Sequence, residues 1–190
     1  MSTTEHNVMS VLANVWFLET ARIRMYEIYA KQAAKDGYQQ MAALFLEVAE
    51  QKRSHTKTIY RFLEETSLET TVSIKTASFE NTLNNLEHAA LAEQTESEGI
   101  FATLEAQAWE TGLKKIATKI KLFRRIKLFY AERFTALSEN IKNERVFARE
   151  EKVKWVCRKC GFIYEGEQAL KNCPGCEHPQ AYFEILAENY

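Results

Sequence analysis

Residues 41–62 read MAALFLEVAEQKRSHTKTIYRF. Apolar side chains recur there at alternating spacings of three and four, through Met41, Phe45 and Val48, and resume at Ile59 and Phe62. That is the period of one buried face of an α-helix. Between the two apolar runs the same face carries Lys52 and His55. An unpaired buried charge is costly, so a helix broken in this way needs polar partners at the same level of a bundle.

The rest of the first 150 residues supplies three such partners. The stripe of a first helix, near 6–35, runs Val8, Leu12, Val15, then Glu19, then Ile23, Tyr26 and Ala30. Ser2 with Glu5 forms a capping-box pattern at its start, and Gly37 closes it before the second helix, near 38–65. A third, near 79–110, runs Leu83, Leu86, Ala90, then Glu93 and Glu96, then Ile100, Leu104 and Ala108. Gly112 separates it from a fourth, near 113–147, which runs Ile116, Ile120, Phe123, then Lys127 and Tyr130, then Phe134, Leu137 and Ile141. The Thr- and Ser-rich stretch 66–78, TSLETTVSIKTAS, is long for a hairpin loop and predicts a crossover along the bundle. The expected fold is mainly α, a four-helix bundle with that long crossover between its second and third helices.

Rare residues divide the chain. All four cysteines and both prolines fall in the last 34 of 190 residues, whereas the first 150 hold three glycines and no proline. The expected domains are a helical body, 1–148, and a small cysteine domain, 149–190. With 25 basic and 26 acidic residues, a net charge of -1 and 46% hydrophobic residues, the chain is an ordered globular protein. This balance argues against a general nucleic-acid or membrane-surface binder. The third helix carries seven acidic residues and no basic one, while Lys114 to Arg133 carries eight basic residues and one acidic, so the two are expected to pair across their shared hairpin. No apolar run approaches the roughly 20 residues that cross a bilayer, and MSTTEHN lacks the pattern of a secretion signal, which predicts a cytoplasmic protein.

Cys157-Arg-Lys-Cys160 and Cys173-Pro-Gly-Cys176 stand 12 residues apart. Two tight Cys-x-x-Cys turns aim four sulfurs at one point and favour a tetrahedral metal over two disulfides. The spacing alone admits iron or zinc. So short a segment builds little core, and its metal is expected to supply much of its folding energy.

The polar layer of the bundle holds Glu19, Lys52, His55, Glu93, Glu96, Lys127 and Tyr130. Carboxylate-bridged di-iron sites are built at this level of four-helix bundles, from one Glu on each of two helices and Glu-x-x-His on each of the others. Lys52-Arg-Ser-His55 and Lys127-Leu-Phe-Tyr130 keep that spacing and lose three of the four ligand types. Three acids facing two lysines can satisfy the layer as an ion-pair network with no metal. Tyr130 reads as a bundle tyrosine with a hydrogen-bonded hydroxyl rather than a radical site.

With these residues the chain resembles the rubrerythrin family over nearly its whole length: a ferritin-like di-iron bundle followed by a rubredoxin-like domain. The resemblance is carried by Glu19 through Tyr26, by Tyr29 through Gly37, by Met41-Ala-Ala-Leu-Phe45 leading to His55, by Cys160-Gly-Phe-Ile-Tyr164, by Cys173-Pro-Gly-Cys176 and by Phe183. It implies that Glu19, His55, Glu93 and Glu96 match iron ligands. Lys52 and Lys127 fall where the family has bridging glutamates, and Tyr130 where it has a second histidine. Protonated lysine offers no lone pair and repels a cation, so the expected state is a disabled di-iron site, with a single metal on His55, Glu19 and one of Glu93 or Glu96 as the alternative. At the cysteines the resemblance implies one iron, with zinc as the alternative. Glu177 departs from the glycine usual after the last cysteine and is strained if its φ is positive. The implied function is single-electron transfer connected with peroxide or oxidative-stress defence, with a redox partner protein and a homodimer; no catalytic residue is assigned. The competing reading is a non-enzymatic binding or scaffold protein, and ferritin-like iron storage ranks below both.

Overall fold

The computed structural model describes residues 3–63, 70–74 and 81–188. Ser2 of the expected capping box and most of the stretch 66–78 lie outside the described residues. Among the described residues five helices form the body: α1 (Thr3–Lys35), α2 (Gln39–Leu63), α3 (Thr82–Glu98), α4 (Ile100–Glu110) and α5 (Lys114–Lys142). Three strands follow, β1 (Ala148–Cys157), β2 (Ile163–Gln168) and β3 (Phe183–Ile185), in an antiparallel sheet of order β2-β1-β3.

Helix directions follow from which residues meet. Trp16 packs on Tyr60, Glu19 on His55 and Tyr26 on Phe45, so α1 and α2 run antiparallel. Arg22 meets Glu96, Tyr26 meets Glu93 and Tyr29 meets His88, so α1 and α3 are antiparallel too. Consequently α2 and α3 run the same way, which places the end of α2 and the start of α3 at opposite ends of the bundle. Across the α4–α5 hairpin Glu105 pairs with Arg124 at 2.6 Å, as the opposite charges predict, and at the far end of α5 Lys142 meets Glu87 of α3 at 2.8 Å.

Two apolar clusters fill the bundle. One packs Tyr26, Tyr29, Phe45, Val48, Leu86 and Phe134; the other packs Val8, Leu12, Val15, Ile59, Phe101, Leu104, Ile116 and Ile120. The polar layer lies between them in each stripe. The third helix, expected to be continuous, is broken at Gly99 (φ -94°, ψ -102°), where a Cβ would stand 2.9 Å from the Thr95 carbonyl oxygen. The carbonyl of Ser97, next to the break, accepts from Arg124 Nε at 2.9 Å, and Ser97 Oγ donates to the Arg124 carbonyl at 3.1 Å. The helix is therefore interrupted at Gly99, three residues after Glu96, without leaving the Ser97 carbonyl unpaired.

The fourth expected helix ends at Lys142 and not near 147. Glu144 there takes φ 54°, with Arg145 N–H on the Asn140 carbonyl (2.8 Å) and Glu144 N–H on Ile141 (3.1 Å). This is the Schellman closure that Gly37 and Gly112 give the ends of α1 and α4. With glutamate in the left-handed position, no glycine announced the stop.

Candidate functional site

The four thiols converge. Cys157 and Cys173 are buried, Cys176 is half-buried and Cys160 is exposed. Cys157 Sγ lies 3.8 Å from Cys176 Sγ, Cys160 Sγ lies 3.6 Å from Cys173 Sγ, and all four fall within 4.8 Å of one another. Metal–sulfur bonds of about 2.3 Å in a tetrahedron require sulfur edges of about 3.8 Å, so the set fits one tetrahedral metal.

Two loops of the same conformation build it. Gly161 N–H donates to Cys157 O at 2.8 Å, as Glu177 N–H does to Cys173 O at 2.8 Å. Cys157 N–H donates to Phe162 O and Cys173 N–H to His178 O, both at 2.9 Å. The residue after each second cysteine takes a left-handed φ, +77° at Gly161 and +60° at Glu177, so the strain foreseen at Glu177 is present. A Cβ at Gly175 would lie 3.4 Å from Cys160 Sγ, which keeps that approach to the sulfurs open. Burial works against the Cys173 thiolate, yet the Gly175 amide and the neighbouring thiols bring its pKa down to about 7. Trp155 underlies the loops, fully buried, with its indole N–H on the Gly166 carbonyl at 2.9 Å.

In the bundle, Glu19 on α1, Lys52 and His55 on α2, Glu93 and Glu96 on α3, and Lys127 and Tyr130 on α5 are all buried and meet in one layer. Lys52 Nζ lies 2.8 Å from Glu19 Oε1 and 2.9 Å from Glu93 Oε1. Lys127 Nζ lies 2.9 Å from Glu19 Oε1, 2.7 Å from Glu93 Oε2 and 2.9 Å from Glu96 Oε2. Three acceptors match the three donors of one ammonium. Glu19 and Glu93 thus each span both lysines, as a bridging carboxylate spans two cations. His55 Nδ1 is 3.1 Å from Glu19 Oε2, and its ring stacks on Phe123 at 4.3 Å. Tyr130 presents its ring to Lys52 Nζ, 5.5 Å from the centroid, a cation–π contact.

Two further residues join the layer: Arg22, which the stripe reading missed, and Tyr26, which it counted as an apolar core position. Arg22, 4% exposed, donates from Nε (2.9 Å) and Nη2 (2.6 Å) to Glu96 Oε1, and the Tyr26 hydroxyl donates to Glu93 Oε1. With Arg22 included, three carboxylates face three cations and the layer is formally neutral. Burial would raise the Glu19 carboxyl, but Lys127 and Lys52 hold it well below the usual carboxylate range. Burial likewise opposes ionisation of Glu96, and Lys127 and Arg22 outweigh it. Burial would strip Lys127 of its proton, yet Glu19, Glu93 and Glu96 hold its pKa well above the ordinary lysine value. Burial and the neighbouring Glu93 push the Tyr26 phenol well up, so it stays a donor.

The rubrerythrin family model matches residues 11–127, which contain every member of this layer except Tyr130, and the model for the rubredoxin-like domain of rubrerythrin matches residues 155–184. The chain belongs to the rubrerythrin family. Rubrerythrin-1 of Clostridium acetobutylicum is 38% identical over 98% of this chain and 96% of its own length. Rubrerythrins of Porphyromonas gingivalis and Nitratidesulfovibrio vulgaris are each 35% identical over 100% of this chain, and over 92% and 97% of their own lengths. Among solved structures, fully reduced nigerythrin superimposes with a TM-score of 0.61 at 24% identity, covering 98% of this chain and 88% of its own. An iron-soaked PmFTN variant superimposes with a TM-score of 0.61 at 11% identity over 73% of this chain and 90% of its own, which extends the likeness to ferritin-like folds. This rubrerythrin-family chain carries the family's C-terminal four-cysteine rubredoxin-like site.

Proposed function

We propose that the chain is an electron carrier of the rubrerythrin family, with one iron on Cys157, Cys160, Cys173 and Cys176 and a metal-free network in the bundle. Iron held by four thiolates supplies single-electron exchange between Fe(II) and Fe(III). The exposed Cys160 gives electrons a short route to solvent and to a partner. Burial of Cys157 and Cys173, and amide donors such as that of Gly175, tune the site's potential.

The observation that carries the second half is the placement of Lys52 and Lys127 Nζ, at the two positions matched to bridging glutamates, within 3 Å of the carboxylates matched to iron ligands. Glu19, Glu93 and Glu96 are a set that could hold a cation. Here they already face three formal positive charges, so a di-iron pair does not fit these residues. A part in peroxide or oxidative-stress defence then runs through delivery of electrons to a redox partner protein and not through chemistry in the layer. A homodimer accompanies this reading by analogy with the family. A cytoplasmic location is part of the same proposal; no described helix is long and apolar enough to cross a membrane.

Metal analysis of the purified chain with its visible spectrum tests both halves. The expected result is one iron per chain with thiolate-to-iron absorption. Zinc alone overturns electron transfer, and two further irons overturn the metal-free layer. The variant Lys52→Glu with Lys127→Glu and Tyr130→His is expected to take up additional iron in the bundle. If it folds and takes up none, the charge account of the layer is wrong.

A further inference from the structure

A cavity of about 440 Å³ opens between α1, α3, the start of α4 and residues 71–73. Leu18, Val72, Leu91 and Ile100 supply apolar lining, and its buried end is formed by Arg22 and Glu96, 4% and 8% exposed. Volume and lining are those of a small-molecule site, mostly apolar with a few convergent polar groups.

The buried end has unused donors. A guanidinium carries five N–H groups. Arg22 gives Nε and one hydrogen of Nη2 to Glu96 Oε1, and Nη1 reaches only the thioether of Met25, at 3.2 Å. Two N–H groups have no acceptor among the described residues, and the third faces a weak one. Such donors, held out of water, are strong recognition elements for an oxygen acceptor.

Charge decides what kind of oxygen. Arg22 is already balanced by Glu96, and the layer behind them by Lys52 and Lys127 against Glu19 and Glu93. A carboxylate entering here would be a buried anion without a counter-charge, whereas a carbonyl would satisfy the donors at no net charge. We propose that this cavity binds a small neutral amphipathic molecule, its apolar body between Leu18 and Leu91 and a carbonyl oxygen accepting from Arg22. The inference goes beyond electron transfer and holds whichever metal the cysteines bind.

Isothermal titration of the full chain with octanamide tests it, with octanoate as the charged counterpart. Saturable one-to-one binding of octanamide is expected, with octanoate at least about tenfold weaker. Ala92→Trp and Thr95→Trp each put an indole at the lining of the cavity and keep every residue of the ion pairs, and Thr95 is an exposed position, where substitution costs little. Each is expected to keep the wild-type circular dichroism and lose octanamide binding. Absence of saturable octanamide binding to the wild type overturns the proposal. So does octanoate binding as tightly as octanamide, or binding that survives in a folded Thr95→Trp chain.

Discussion

Lys127 sets the energetics of the layer. Its ammonium has three carboxylate partners, Glu19, Glu93 and Glu96, and no exposure of its own. Lys127→Met removes the cation and leaves a buried negative charge, which costs about 3–5 kcal/mol. A second substitution, Glu93→Gln, removes the excess charge and is expected to recover part of the loss. Urea unfolding followed by helical circular dichroism measures both, and additive losses would refute coupling between the two residues. The pH dependence follows from the same pairs. Glu19 and Glu96 titrate lower in the folded state than their ordinary 4.5, so their contribution is complete above that value and disappears as pH falls through the folded pKa values. Lys127 titrates above its ordinary 10.5, so its contribution is complete below 10.5 and is lost above its folded pKa. A stability plateau bounded by these values is expected, and an unchanged urea midpoint between pH 5 and pH 3 would contradict it. Seven members of the layer were legible because each interrupts an apolar stripe. Arg22 was not: it shares its turn with Ile23, which fits the stripe, and only packing against Glu96, 74 residues away, makes it a core residue.

Among the elements, what the sequence hid was where helices and loops stop. Gly37 and Gly112 announced the ends of α1 and α4, because glycine is the residue that a left-handed closing position accepts without strain. Glu144 at the end of α5 and Glu177 in the second cysteine loop adopt the same conformation without that signal, so the fourth helix read five residues too long. Gly99 was visible but ambiguous, since one glycine within a helical pattern is tolerated at a cost of about 1 kcal/mol and need not break the helix. Three substitutions separate these cases. Glu144→Gly and Glu177→Gly are each expected to stabilise the chain by up to about 1 kcal/mol, the relief of a left-handed L-residue less the entropy glycine adds to the unfolded state. Gly99→Ala is expected to cost about 1–3 kcal/mol, because its Cβ meets the Thr95 carbonyl at 2.9 Å and the backbone must shift. Thermal unfolding of the three variants decides it, and destabilisation by Glu177→Gly would show that the glutamate side chain contributes more than its backbone strain costs.

For the molecule as a whole, the division between a proline-free body and a cysteine-bearing tail was plain from composition, and it separates two ways of holding a fold together. The body buries two apolar clusters around a neutral ion-pair layer and closes its own ledger of charge. The tail cannot do the same. Its buried cluster is Trp155, Cys157, Ala169, Cys173 and Phe183, so two of its five members are thiols that also face the metal position. Those sulfurs lie 3.6 to 3.8 Å from their neighbours, so close together that with no cation between them they would have to share protons or repel one another. Metal removal is therefore expected to unfold the region from β1 to β3 and leave α1 to α5 in place. In the stripped, reduced chain the near-ultraviolet signal of Trp155 and the exchange protection of β1 amides should be lost, while helical circular dichroism and protection in α1, α2, α3 and α5 persist. Protection of β1 that survives metal removal would mean that the sheet, and not the metal, holds the tail. Loss of helix protection together with β1 would mean that the two parts fold as one unit.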